Sequence, residues 1–270
     1  MLTKESHVDI QTSSTPMRVF IIEPNLPNHP NARFPAVIVW SEIYQVTGPV
    51  SRFAHQIASH GYLVAAPSIY HEFEGPEALN YDEAGTDRGN DLKIQKLLSA
   101  YDEDAKLCVD LLLSLKQCNG RVGTTGMCLG GHLAFRTAFD PRVRSAACFF
   151  PTDIHGETLG KNKSSNSLAR VANGDLQHAE LLCFFGKQDT HVPRAGRDKI
   201  RKALEDADVV VSWCELQAQH AFIRDTSSKG RYDAALTSVC FAQMMEMFHR
   251  TLVLDLGEPT RASGTVEHVC

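Results

Sequence analysis

The sequence predicts an α/β protein with a mostly parallel central sheet and helices on both faces. Three observations predict it. Continuous apolar runs of five to eight residues alternate with amphipathic helical stretches from residue 34 to 252. A glycine-rich strand–turn–helix, Arg121–His132, sits in the middle of that alternation. A chain of 270 residues is long enough to bury a full core.

The elements follow in order. Two β-like runs, around His7–Ile10 and Met17–Ile22, flank Thr12-Ser-Ser-Thr-Pro16 and read as a hairpin at a sheet edge. Pro24–Arg33 is rich in proline and asparagine and reads as a loop. Phe34–Trp40 is apolar throughout, as suits a strand covered on both faces. Ser41–Gln45 follows at that strand's C-terminal end, where open α/β sheets collect ligands. Glu42 is therefore a candidate pocket residue, with a solvated loop carboxylate as the alternative. Val50–His60 reads as a helix closed by Gly61. His55 and His60 are five apart, off a shared helical face, which disfavours a metal pair.

Tyr62–Pro67 is the next buried strand, and the irregular, polar Ser68–Asn90 reads as a lid or pocket wall. Asp91–Gln117 carries Leu97, Leu98, Tyr101, Ala105, Cys108, Val109, Leu112 and Leu115 at helical spacing and predicts one long helix. Val122–Gly126 is a strand, and Leu129–Phe139 a helix that stops before Asp140-Pro141. Val143–Phe150 and Glu180–Gly186 are strands, separated by a polar loop with one short helix. Pro193–Ala207 is helical, Val209–Glu215 is the last strand, and Arg231–Leu252 a closing helix. Residues 1–254 are expected to form a single domain and 255–270 a polar tail.

Composition narrows the function classes. The chain is 43% hydrophobic and 22% charged, with a net charge of -5 and a pI near 6.2. That balance argues against a nucleic-acid binder. No apolar run approaches the ~18 residues needed to span a bilayer, and the N-terminus lacks a signal-peptide pattern. Eight cysteines occur without a C-x-x-C pair or zinc-site spacing. Cys108, Cys148, Cys183 and Cys240 lie in apolar runs and read as core thiols. The set is read as reduced and the chain as cytoplasmic.

Gly126-Met-Cys-Leu-Gly-Gly131 has the nucleophile-elbow pattern with sulfur in place of oxygen. Its glycines allow a strained strand-to-helix turn that lifts Cys128 to a helix N-terminus, where a thiolate is favoured. A buried core thiol is the alternative. The other strand ends deliver Asp189 and then His220, the nucleophile–acid–histidine order of α/β-hydrolases. Cys128 would attack a carbonyl carbon, His220 would move the proton, and Asp189 would hold the histidine tautomer. The amides of Leu129 and Ile43 would form the oxyanion hole. Asp189 as a helix N-cap and His220 as an exposed loop residue are the alternatives. His191 competes for the histidine role, and His132 reads as packing or surface.

At these residues the sequence resembles the dienelactone hydrolase family (carboxymethylenebutenolidase-like α/β-hydrolases). The matching pieces are Trp40-Ser-Glu-Ile-Tyr44, Gly61–Pro67, Gly123–Gly131, Phe185-Gly-Lys-Gln-Asp189, His220-Ala-Phe222 and Tyr232-Asp-Ala-Ala235. The resemblance implies an α/β-hydrolase fold and hydrolysis of an enol-lactone or related small ester through an acyl-enzyme. It maps the family's catalytic residues onto Cys128, Asp189 and His220. Glu42 becomes a fourth participant that helps generate the thiolate. It implies no metal; no other cofactor, no nucleic-acid or membrane partner, and a monomer or homodimer are the accompanying expectations. It also implies two arginines on a substrate carboxylate: Arg224 matches one, and Arg88 is the candidate for the other. A ligand-binding or thiol redox-sensing protein without turnover is the second function class, since a fold does not fix an activity.

Overall fold

Apolar runs become interior strands because helices cover the sheet on both sides. Along Phe34–Trp40, Ala36, Ile38 and Trp40 enter one core, while Val37 and Val39 enter the other. The computed structural model describes residues 1–254, so the stretch read as a tail lies outside the described residues. The strands are β1 (Thr3–Gln11), β2 (Pro16–Pro24), β3 (Phe34–Trp40), β4 (Leu63–Pro67), β5 (Cys118–Met127), β6 (Val143–Phe149), β7 (Glu180–Gly186) and β8 (Val211–Leu216). They form one eight-stranded sheet in the order β1-β2-β4-β3-β5-β6-β7-β8. From β4 to β8 every pairing is parallel; β1–β2 and β2–β4 are antiparallel. The expected edge hairpin is present and longer than the sequence indicates.

Helices α1 (Gly48–Ser59) and α7 (Ala234–Phe248) pack on one face. Helices α3 (Leu98–Ser114), α4 (Leu129–Thr137) and α6 (Arg194–Asp206) pack on the other. Among the described residues no helix is long and apolar enough to cross a membrane. All parallel strands point the same way, so the loops after β3, β5, β6 and β7 gather at one sheet edge.

Two expected elements are corrected. Asp91–Gln117 is not one helix. Helix α2 runs over Glu83–Gln95, and Lys96 and Leu97 are extended before α3 begins. The cause is a buried charge that no periodicity reveals. Lys96 turns inward, 1% exposed, with its ammonium 2.7 Å from Asp104, 2.6 Å from Glu72 and 3.2 Å from His71. The break also re-aims α2, placing Thr86, Asn90 and Lys93 on the site. The closing helix starts at Ala234, capped by Asp233 accepting from the Leu236 amide, so Arg231 and Tyr232 precede it.

The segment read as a lid or wall is a wall. Gln45, fully buried, donates from Nε2 to the carbonyls of Gly75 and Glu77 at 2.8 Å each. The Leu79 amide donates to the Tyr44 carbonyl, and Tyr44 bonds Thr86. At Gly89 a Cβ would stand 2.3 Å from the Ile43 carbonyl oxygen, so only glycine permits this approach of α2 to the loop after β3.

Removing one member of a buried ion cluster leaves the others uncompensated, at a cost of about 3–5 kcal/mol. Lys96→Met is expected to lose stability on that scale in urea unfolding. Adding Asp104→Leu should recover much of the loss. A single-variant change below about 0.5 kcal/mol would show that the cluster does not hold the α2–α3 junction.

Candidate active site

The site begins with backbone geometry at Cys128. This residue ends the turn between β5 and α4 with φ 58 and ψ −120, a conformation that strains any residue with a Cβ. The turn is held on several sides. The Cys128 amide donates to the Phe149 carbonyl at 3.0 Å, and its own carbonyl accepts from Gly131, His132 and Thr152. A Cβ at Gly130 would stand 2.3 Å from the Trp40 carbonyl oxygen, and one at Gly126 2.3 Å from the Gly130 oxygen. The elbow therefore sits against the end of β3 at a distance that side chains would forbid. Its thiol is partly exposed and lines a cleft of about 370 Å³. The buried-core alternative for Cys128 does not hold.

The structure brings His220, bonded to Asp189, into the cleft that Cys128 lines. His220 follows β8 in a turn where Ala221 has φ 62. Its Nδ1 lies 2.7 Å from Asp189 Oδ2, and its ring lines the same cleft as Cys128. Phe150 packs edge-on against the ring at 4.9 Å, and His191 at 4.4 Å between centroids. Asp189 is 3% exposed, and its Oδ1 accepts from the His191 amide at 2.8 Å. It is not a helix cap, since α6 begins behind Pro193. His191, the competitor, contributes an amide and a ring contact, while Asp189 bonds the side chain of His220. His132 is fully buried and bonds Ser167 at 2.7 Å, a packing position.

Electrostatics follow from these contacts. Burial opposes a charged His220. Interaction with the Cys128 sulfur, the hydrogen bond to Asp189 and the Asp189 charge outweigh it and raise the imidazole pKa to about 10. Burial would lift the Asp189 carboxyl, but His220 and the His191 amide hold it below the usual carboxylate value.

Glu42 is 2% exposed at the end of β3. It lines the same cleft as Cys128. Arg224 Nη1 reaches its two oxygens at 3.2 and 3.3 Å, and the Tyr81 hydroxyl donates to it at 3.0 Å. Arg224 also stacks on the Tyr81 ring, 4.4 Å from the centroid. The amides of Leu129 and Ile43 donate to no backbone carbonyl among the described residues, as an oxyanion hole requires. Arg88 is a correction. It projects away from the cleft and pairs with Glu74, because the third residue of a helical turn that faces the site at Thr86 and Asn90 faces outward.

Sequence reasoning missed several cleft residues. Tyr81 and Asp153 lie in loops without a motif. Asp153 follows β6 at the same sheet edge and pairs with Lys93 at 3.0 Å, so strand-end placement was the available signal. Arg231 also lines the cleft; reading it into the last helix concealed it.

The sequence profile of the dienelactone hydrolase family matches residues 17–252. A carboxymethylenebutenolidase-like protein of Saccharomyces cerevisiae is 55% identical over 273 residues, covering 100% of both chains. The carboxymethylenebutenolidase of Pseudomonas putida is 27% identical over 202 residues, 72% of this chain and 77% of its own. A solved dienelactone hydrolase-like protein of Klebsiella pneumoniae superposes with a TM-score of 0.78 at 20% identity, covering 93% of this chain and 100% of that one. At that identity the structural likeness speaks for the fold, an α/β-hydrolase. The profile match and the full-length relative carry the assignment: this chain belongs to the dienelactone hydrolase family of hydrolases.

Proposed function

We propose that the protein is a cysteine-dependent hydrolase of small lactones or esters that works through an acyl-enzyme on Cys128. One observation carries the reading: a partly exposed thiol on a strained elbow faces an imidazole whose other nitrogen bonds a buried carboxylate. Each group then has a task. The Cys128 thiolate attacks the carbonyl carbon, and the oxyanion develops toward the amides of Leu129 and Ile43. The imidazolium of His220 gives its proton to the leaving oxygen as the C–O bond breaks. In a lactone that oxygen stays tethered to the acyl group. Neutral His220 next takes a proton from water, hydroxide adds to the thioester, and collapse releases the acid and the thiolate. Asp189 orients the ring and stabilises its cation throughout.

Glu42 is the fourth participant of this reading. In the resting geometry Arg224 and Tyr81 hold it. A substrate anion that competes for Arg224 would loosen that hold and let the carboxylate act on the thiol. Arg224 is thus both counter-ion and substrate-binding group.

Loss of the nucleophile is expected to be severe. Cys128→Ala should lower hydrolysis of a short p-nitrophenyl ester and of a dienelactone by at least about 10³-fold. Activity retained on both substrates would remove the proposal.

The imidazole offers a second check. Its pKa of about 10 exceeds the ordinary 6.5. The charged ring therefore contributes stability that is full below about 6.5 and fades as pH rises through about 10. NMR titration of His220 should find the ring protonated at neutral pH in the wild type. Cys128→Ala removes the largest contribution raising that pKa and should move the titration several tenths of a unit or more downward. An unmoved titration would separate the ring from the thiol.

A further inference from the structure

We propose that His191 holds the water that hydrolyses the acyl-enzyme: its imidazole accepts a hydrogen bond from one O–H of that water, while His220 takes the proton of the other. The inference rests on the hydrolase reading above and concerns only the second half of that reaction.

The need arises once Cys128 is acylated. The leaving oxygen has then taken the proton of His220, and Asp189 still holds Nδ1 of the ring. Only Nε2 remains to receive a proton. A water at Nε2 has two O–H groups, and that nitrogen fixes one of them. A nucleophile held at a single point is poorly oriented, and orientation supplies much of the rate.

The cleft contains few groups able to take the second O–H. Two carboxylates line it, Glu42 and Asp153. Arg224 and Tyr81 hold Glu42. Asp153 accepts from Lys93 at both oxygens, and from Thr152 and Thr158 at 2.7 and 2.6 Å, which fills its lone pairs. Beside His220, the imidazoles of His155 and His191 line the cleft. His155 lies down on α6, where a Cβ at Gly196 would stand 2.7 Å from its ring. His191 is exposed and packs on His220, 4.4 Å between centroids at an angle of 50°. Its backbone amide donates to Asp189 Oδ1, so it is anchored to the carboxylate that orients His220. Neither ring nitrogen of His191 has a hydrogen-bond partner among the described residues.

Charge and distance suit the task. Burial and the His220 charge, with Arg231 and Lys93 adding to them, hold the His191 pKa below its ordinary value against the pull of Asp189. The ring is therefore neutral at pH 7 and keeps one nitrogen lone pair. One water bridging two nitrogens spans about 4.5–5 Å, comparable to the separation of the two rings. In the step, the water gives one proton to His220 Nε2 and its oxygen adds to the thioester carbonyl. The C–S bond then breaks and the sulfur leaves as thiolate. The second hydrogen stays on the new carboxyl group, bonded to His191.

A slowly deacylated ester, p-nitrophenyl trimethylacetate, separates the two halves. First-turnover release of p-nitrophenol measures acylation. Decay of the Cys128 adduct after removal of free ester, followed by intact mass, measures deacylation. His191→Phe keeps a ring against His220 and removes both nitrogens. It should leave acylation within about twofold and slow deacylation about tenfold or more, the scale of one lost hydrogen bond. Hydroxylamine attacks thioesters without a positioned water and should clear the adduct of the variant as fast as that of the wild type. His191→Asn, which returns an acceptor oxygen, should recover part of the loss. Unchanged deacylation in His191→Phe would overturn the inference. So would equal slowing of both halves, which would make His191 a support for His220 alone. If the wild type forms no adduct on Cys128, the hydrolase reading itself fails and takes this inference with it.

Discussion

The structure depends on one close approach: the elbow at Cys128 pressed against the end of β3. Glycine at 126 and 130 lets two backbones meet at separations that a methyl group would close. Holding Cys128 at φ 58 costs on the order of 1–3 kcal/mol. Hydrogen bonds from the elbow to Phe149, Gly131, His132 and Thr152 offset that cost. The return on the strain is placement. A thiol that would otherwise sit in the sheet stands at a helix N-terminus, open to a cleft, while Cys148 and Cys183 remain core residues on neighbouring strands.

Charge placement around the elbow follows from burial. The imidazole of His220 packs against Phe150 and His191, and its Nδ1 bonds Asp189. Glu42 is 2% exposed, and Arg224 with Tyr81 supplies the hydrogen-bond partners that a buried carboxyl group needs. The two buried systems differ in kind. One is the Asp189–His220 hydrogen bond, the other the Glu42–Arg224 ion pair. The wall formed by Ser68–Asn90 supports the Glu42–Arg224 pair, since Tyr81 reaches Glu42 from it.

Much of this was legible in the sequence, and the reasons are local. Apolar runs bounded by turns specified the interior strands, and Glu180–Gly186 and Phe34–Trp40 were placed to the residue. The order Cys128, Asp189, His220 was readable because a parallel sheet sends its loops to one edge. What escaped depends on contacts between distant segments. The helical spacing across Asp91–Gln117 is real, but the pull of Asp104 and Glu72 on Lys96 breaks it. Tyr81 has no motif, only a position opposite Glu42 in the fold. Arg88 was expected near the site from its place in the chain, yet helix phase turns it toward Glu74. Arg231 lay hidden three residues ahead of where the last helix begins.

The central claim is that acyl transfer passes through the sulfur of Cys128. Rapid acid quench of the enzyme during turnover of a slow p-nitrophenyl ester, followed by intact-mass and peptide mass spectrometry, tests it most directly. The account predicts an adduct of one acyl group per chain, on the peptide containing Cys128 and released by hydroxylamine. Steady turnover with the acyl group on another residue, or with no adduct at any quench time while p-nitrophenol appears in a burst, would contradict it.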